Sequence, residues 1–114
     1  MQWKINYYHN QNNKSPVKEW LDDIGNEPKA EIFRVFEMMQ RYGIELGLPF
    51  IRPLEHKIYE VRAKDKSGIY RVLYFAHTGK TFVMLHGFQK KTPATPRKEL
   101  DIALKRMKEV QTNG

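Results

Sequence analysis

What most constrains this chain is the stretch 57–91, KIYEVRAKDKSGIYRVLYFAHTGKTFVMLHGFQKK, which reads as three strands joined by two short turns. In the first strand, Lys57 to Ala63, a period of two puts Ile58, Glu60 and Arg62 on one face and Tyr59, Val61 and Ala63 on the other. The second, Ile69 to Ala76, is aromatic and β-branched and sets Arg71 among Ile69, Leu73 and Phe75. The third, Thr81 to Phe88, runs into Gln89-Lys90-Lys91. Lys64-Asp65-Lys66-Ser67-Gly68 and His77-Thr78-Gly79-Lys80 have the polar, glycine-containing make-up of hairpin loops, so the strands form an antiparallel meander. Charges inside strands need a reason. Glu60, Arg62 and Arg71 are either solvated sheet positions or the polar floor of a site.

The rest of the chain is built around that sheet. Trp3 to Tyr8 alternates as a first strand, and His9 to Lys14 is a polar loop. Ser15 caps a helix opened by Pro16, with Val17, Trp20, Leu21 and Ile24 on one stripe and Gly25 at its end. A second helix starts near Asn26-Glu27-Pro28, carries Ile32, Val35, Phe36 and Met39, and stops at Gly43. Residues 44–56 lack a helical period and read as a crossover back to the sheet. Thr95 caps and Pro96 opens a last helix with the stripe Leu100, Ala103, Leu104 and Met107, and Gln111 to Gly114 reads as a frayed tail. The order β-α-α-β-β-β-α makes this an α+β chain with helices packed on one side of the meander. At 114 residues it is expected to be a single domain, 1–114.

Charge narrows the function. Residues 1–56 hold seven Lys/Arg against eight Asp/Glu, and residues 57–114 hold thirteen against five, so the excess of +7 lies wholly in the second half. A face that meets phosphate has this asymmetry, and so does a solvated lysine-rich surface. The absence of cysteine removes disulfides and thiolate zinc sites and fits a reducing cytoplasm. The His and acidic spacings match no metal motif. No apolar run is long enough for a bilayer, and the first residues lack the apolar centre of a signal peptide.

The runs Ile58-Tyr59-Glu60-Val61-Arg62, Tyr70-Arg71-Val72-Leu73-Tyr74 and His86-Gly87-Phe88-Gln89-Lys90-Lys91-Thr92, followed by Thr95-Pro96 and a basic helix, resemble the phage-derived Gp49-like proteins. These are HigB-like toxins of the RelE/ParE superfamily. The resemblance implies a RelE-like toxin domain of a type II toxin–antitoxin pair that cuts mRNA on the ribosome, with no metal or organic cofactor. It also implies inhibition by a helix-turn-helix, HigA-like antitoxin. Carried over, the catalytic set is Glu60, Arg62, Arg71, Lys90 and Lys91. Relatives of the RelE type often have lysines where this chain has Ile58 and Glu60, and the superfamily includes ParE-like proteins that poison DNA gyrase without cutting RNA. A plain basic nucleic-acid-binding module is the third alternative.

The residues suit metal-free RNA cleavage, in which the ribose 2′-OH attacks the adjacent phosphorus. Arg71, helped by Arg62, can grip two phosphate oxygens, Lys90 or Lys91 can neutralise charge or give a proton, and Glu60 is the one carboxylate placed to be a base. Lys57, Arg97, Lys98, Lys105 and Arg106 would add attraction to the RNA backbone. Each has a bland counterpart, because a strand Glu-x-Arg is commonly a surface ion pair and paired lysines at a strand end are commonly a solvated turn. His86, in step with Met84 and Phe88, reads as a hydrogen-bonded core residue before a proton shuttle. Tyr59, Tyr70 and Tyr74 could stack on bases, though Tyr70 and Tyr74 share the parity of Val72 and so lie partly in the core.

Overall fold

A computed structural model of the chain describes residues 2–113. Its elements are β1 (Lys4–Tyr7), α1 (Pro16–Asp23), α2 (Asn26–Tyr42), β2 (Ile51–Pro53), β3 (Tyr59–Asp65), β4 (Gly68–His77), β5 (Thr81–Lys90) and α3 (Arg97–Asn113). Local chemistry sets the helix ends. The Ser15 hydroxyl accepts from the Lys18 backbone N–H at 3.4 Å, so the first turn is capped while Val17 and Leu21 are buried. Gly43 closes α2 with φ of 63°, and a Cβ there would run into the Trp3 indole, so both conformation and space demand glycine. α3 continues to Asn113, where the sequence reads as frayed; Gly114 lies outside the described residues.

The sheet is mixed, in the order β1-β5-β4-β3-β2. β3, β4 and β5 form the expected antiparallel meander, while β1 lies parallel to β5, with Lys4 opposite Thr81 and Tyr7 opposite Met84. β2 is a short edge strand inside the segment read as a crossover; three residues ending in proline carry no measurable period.

The α+β class holds, but the helices do not share one side. Val61, Ala63, Tyr70, Val72, Tyr74, Phe82 and Met84 pack against α1 and α2. Ile58, Leu73, Phe75, Val83, Leu85 and Phe88 form a second core with Leu100, Ala103 and Met107 of α3 on the opposite face. The physical reason is that β4 and β5 are apolar on both faces, and strands of that kind need cover on both. The apolar stripes of α1 and α2 are therefore core.

A β-bulge adds a second correction. Leu73 pairs with His86 and Tyr74 with Met84, which leaves Leu85 as the extra residue of β5. The slip resets the alternation, so His86 shares the α3 face with Leu85 and Phe88, out of step with Met84. Gly87 then faces α1, where a Cβ would collide with the Trp20 ring. Among the described residues no helix is long and apolar enough to cross a membrane.

Candidate active site

Pairing across β2, β3, β4 and β5 decides which polar residues meet. Arg52 is opposite Glu60, Arg62 is opposite Arg71, and Arg71 is opposite Phe88. All of these side chains, with Lys90 two residues beyond Phe88, stand on the α3 face of the sheet, at the end of the apolar core that Phe88 closes. The centre is Glu60, wholly buried at 0 % exposure, beside Arg71 at 6 %. Arg71 Nε lies 3.4 Å from Glu60 Oε1, and Arg71 Nη1 donates to the Tyr70 carbonyl at 3.0 Å. Glu60 Oε2 accepts from the Thr95 hydroxyl at 2.6 Å. Thr95, expected to cap α3, instead draws the loop before that helix down onto the carboxylate.

This geometry divides the labour. Glu60 is screened from solvent, with Oε2 taking the Thr95 hydroxyl and Oε1 facing Arg71 Nε as an ion pair with no hydrogen bond to it, so the carboxylate sits as the counter-charge of the Arg71 guanidinium. Burial lowers the Arg71 pKa and the nearby Arg62 and Arg52 charges act the same way, while Glu60 opposes them. Lys90 is pulled below the ordinary lysine value, first by desolvation and then by Arg71, with Glu60 again opposing. The result is an electropositive recess whose lysine can release a proton more readily than a free one. Arg62 Nε is buried without a hydrogen-bond partner among the described residues.

The other residues singled out from the sequence fall into three places. Lys91 is exposed just beyond β5, and Lys57, Lys98 and Lys105 are exposed outside the recess. Arg97 bridges Glu55 at 3.1 Å and Asp101 at 3.0 Å, tying the start of α3 to the turn before β3. Arg106 lies against the sheet, where Nη1 donates to the Leu85 carbonyl at 2.8 Å, serving the residue that the bulge leaves over. Its guanidinium also lies 5.2 Å from the Tyr8 ring centroid. His86 Nε2 is 2.7 Å from Glu99 Oε1, and its pKa is lowered by burial against the opposing pull of that carboxylate. Tyr70 and Tyr74 are buried on the α1–α2 side, away from the recess, and Tyr59 stacks on Tyr74. Arg52 is the contributor that sequence reading overlooks, because its placement depends on the β2 pairing. Among the described residues no group of three or more His, Cys, Asp or Glu side chains is placed to hold a metal ion.

A family model described as phage derived protein Gp49-like matches residues 19–108. Two relatives named probable endoribonuclease HigB1, from Mycobacterium tuberculosis strains CDC 1551 / Oshkosh and ATCC 25618 / H37Rv, are each 30% identical over 92 residues. The match spans 80% of this chain and 70% of each relative.

Proposed function

The chain belongs to the phage-derived Gp49-like family of HigB-like toxins, and on that footing we propose that it is a ribosome-dependent mRNA endonuclease of a type II toxin–antitoxin system. One observation carries the reading: Arg62, Arg71 and Lys90 converge on one sheet face around a buried carboxylate that fixes the central guanidinium. A module that only bound nucleic acid would lose affinity by keeping Glu60 there. The relatives' name, probable endoribonuclease, supports the same assignment.

In the reaction the ribose 2′-OH attacks the adjacent phosphorus and the bond to the 5′-oxygen breaks. A 2′,3′-cyclic phosphate and a 5′-hydroxyl result. Arg71 and Arg62 hold the non-bridging oxygens as charge builds on them. Lys90 gives its proton to the departing 5′-oxygen, and the 2′-OH proton passes to water at the open mouth of the recess. Glu60 is a positioning residue acting through Arg71. No step passes through a metal or an organic cofactor. Lys91, Lys57, Lys98 and Lys105 add sequence-blind attraction to RNA. The toxin works in the cytoplasm, and a cognate helix-turn-helix antitoxin restrains it.

The test is cell-free translation of a defined mRNA with the protein added and new RNA ends mapped with and without ribosomes. In-frame cuts that need ribosomes and vanish in Arg71→Ala are expected. Intact mRNA under active translation would overturn the reading and make DNA gyrase the target to assay.

A further inference from the structure

Strand β2 covers β3 only from Tyr59 to Val61. One residue further, the Arg62 N–H still donates to the Phe50 carbonyl at 2.8 Å, and the covering chain then turns away. In an antiparallel ladder, alternate residues direct N–H and C=O to the same side. Lys64 therefore points its backbone donor and acceptor the same way as Arg62, into the space where β2 has ended. Neither group has a backbone partner among the described residues.

A cleft of about 450 Å³ opens against this bare edge, and Arg34, Phe50, Arg62, Lys64 and Arg71 line it. One wall carries the Phe50 ring with the Arg34 guanidinium over it, 5.9 Å from the ring centroid and held by Glu31 at 3.0 Å. At the end nearest the recess lies the half-buried cation of Arg62. A ligand that satisfies all three parts needs a planar ring, a donor–acceptor edge and an anion on one side. A free phosphate would leave the aromatic and guanidinium wall and the strand edge unused, and Glu31 repels it from the Arg34 end. An unpaired nucleotide has all three.

We infer that this cleft receives one splayed nucleobase of the RNA strand, stacked on the Arg34–Phe50 wall, with its Watson–Crick edge on the Lys64 backbone and its phosphate on Arg62. The inference rests on the ribonuclease reading above and deepens it, because it makes Arg34, Phe50 and the Lys64 backbone the source of base preference beside the cut. Selectivity then comes from a main-chain edge, which side-chain substitution at Lys64 leaves in place.

Binding can be read without cleavage. Five-nucleotide RNAs with 2′-fluoro sugars lack the nucleophile, and a labelled set would carry each of the four bases, or an abasic residue, at the centre. Fluorescence anisotropy on the intact protein should show tighter binding to some bases than others. The abasic strand, and separately Arg34→Ala and Phe50→Leu, should weaken binding roughly tenfold, about the worth of one base–aromatic stack. The two variants should also flatten the differences among bases, whereas Lys64→Ala should preserve them. Arg34 is exposed, so its variant remains informative if Phe50→Leu does not fold. Equal binding of abasic and intact strands, unchanged base preference in folded variants, or no binding by the wild type would each overturn the inference. If Phe50-dependent base preference is found but translated mRNA stays uncut, the ribonuclease reading fails and the base cleft stands. If mRNA is cut with the same base preference in wild type and variants, the cleft alone fails.

Discussion

Neutralising Glu60 should threaten the fold before it touches the chemistry. Glu60→Gln keeps the shape and an acceptor for Thr95 but leaves the Arg71 guanidinium, 6 % exposed, without its counter-charge. At an effective dielectric constant of about 20, two unit charges 3.4 Å apart attract by about 5 kcal/mol. Removing one partner of such a pair commonly costs about 3–5 kcal/mol, since the other charge stays buried and unpaired. Against a total of about 5–15 kcal/mol for an ordinary domain that is a large fraction. With a urea m value of about 2 kcal/mol per molar, the unfolding midpoint should fall by roughly 2 M. Removing both charges together should be far milder. Glu60→Leu with Arg71→Met places apolar side chains beside Ile58, Leu73 and Phe88, and the double variant should return to within about 1 kcal/mol of wild type while remaining inactive. Urea titrations followed by far-UV circular dichroism measure all three proteins. A loss under about 1 kcal/mol in Glu60→Gln, or a double variant no more stable than Glu60→Gln, would refute the account of Glu60 as the counter-charge of Arg71.

Thr95→Val removes the only side-chain donor to Glu60 Oε2 among the described residues and should cost about 1–3 kcal/mol in the same titration, whereas Thr95→Ser should stay near wild type. Gly87→Ala forces a methyl group into the Trp20 ring; a loss of about 1–3 kcal/mol and an altered tryptophan near-UV signal are expected. His86 is held below its usual 6.5 by burial, so the unfolded chain binds the proton more tightly than the folded one. Its contribution is therefore present above that value and is lost as pH falls below it, and comparing unfolding midpoints at pH 7.5 and 5.5 should show a smaller drop in His86→Gln than in wild type. In the proposed reaction Lys90 acts protonated, and burial lowers its pKa below the usual 10.5, so cleavage should decline on an alkaline limb beneath that value. Lys90→Arg should move the limb upward, and Lys90→Gln should abolish it along with most of the rate.

Where sequence reading succeeded, the signal was local. Ser15-Pro16, Gly25 and Gly43 bracket the first two helices, and the stripes through Val17–Leu21 and Ile32–Met39 are the buried ones. Alternation within β3 put Glu60 and Arg62 on one face without any knowledge of what covered it. The failures share a cause, since each depends on a partner distant in the chain. The side taken by α3 is written in the double-sided apolar character of β4 and β5, visible in TFVML and YRVLYF, which calls for cover on both faces without naming the helix that supplies it. The phase of His86 was hidden because a bulge belongs to a pair of strands and not to one. Arg52 entered the recess through three residues of edge strand too short to show a period. Thr95 had a standard local role open to it, and a carboxylate thirty-five positions earlier won instead because a buried charge demands a donor more strongly than an exposed helix end does.

The parallel ladder between β1 and β5 joins residue 4 to residue 81. Loops of that length close slowly and only after much of the chain is in place. During synthesis the first strand leaves the ribosome long before its partner has been translated, and the loop that seals Glu60 follows later still. A nascent chain therefore has no assembled recess until residue 95 has emerged. β5 completes the sheet, and the guanidinium at its centre acquires its fixed setting only once the loop before α3 has been made.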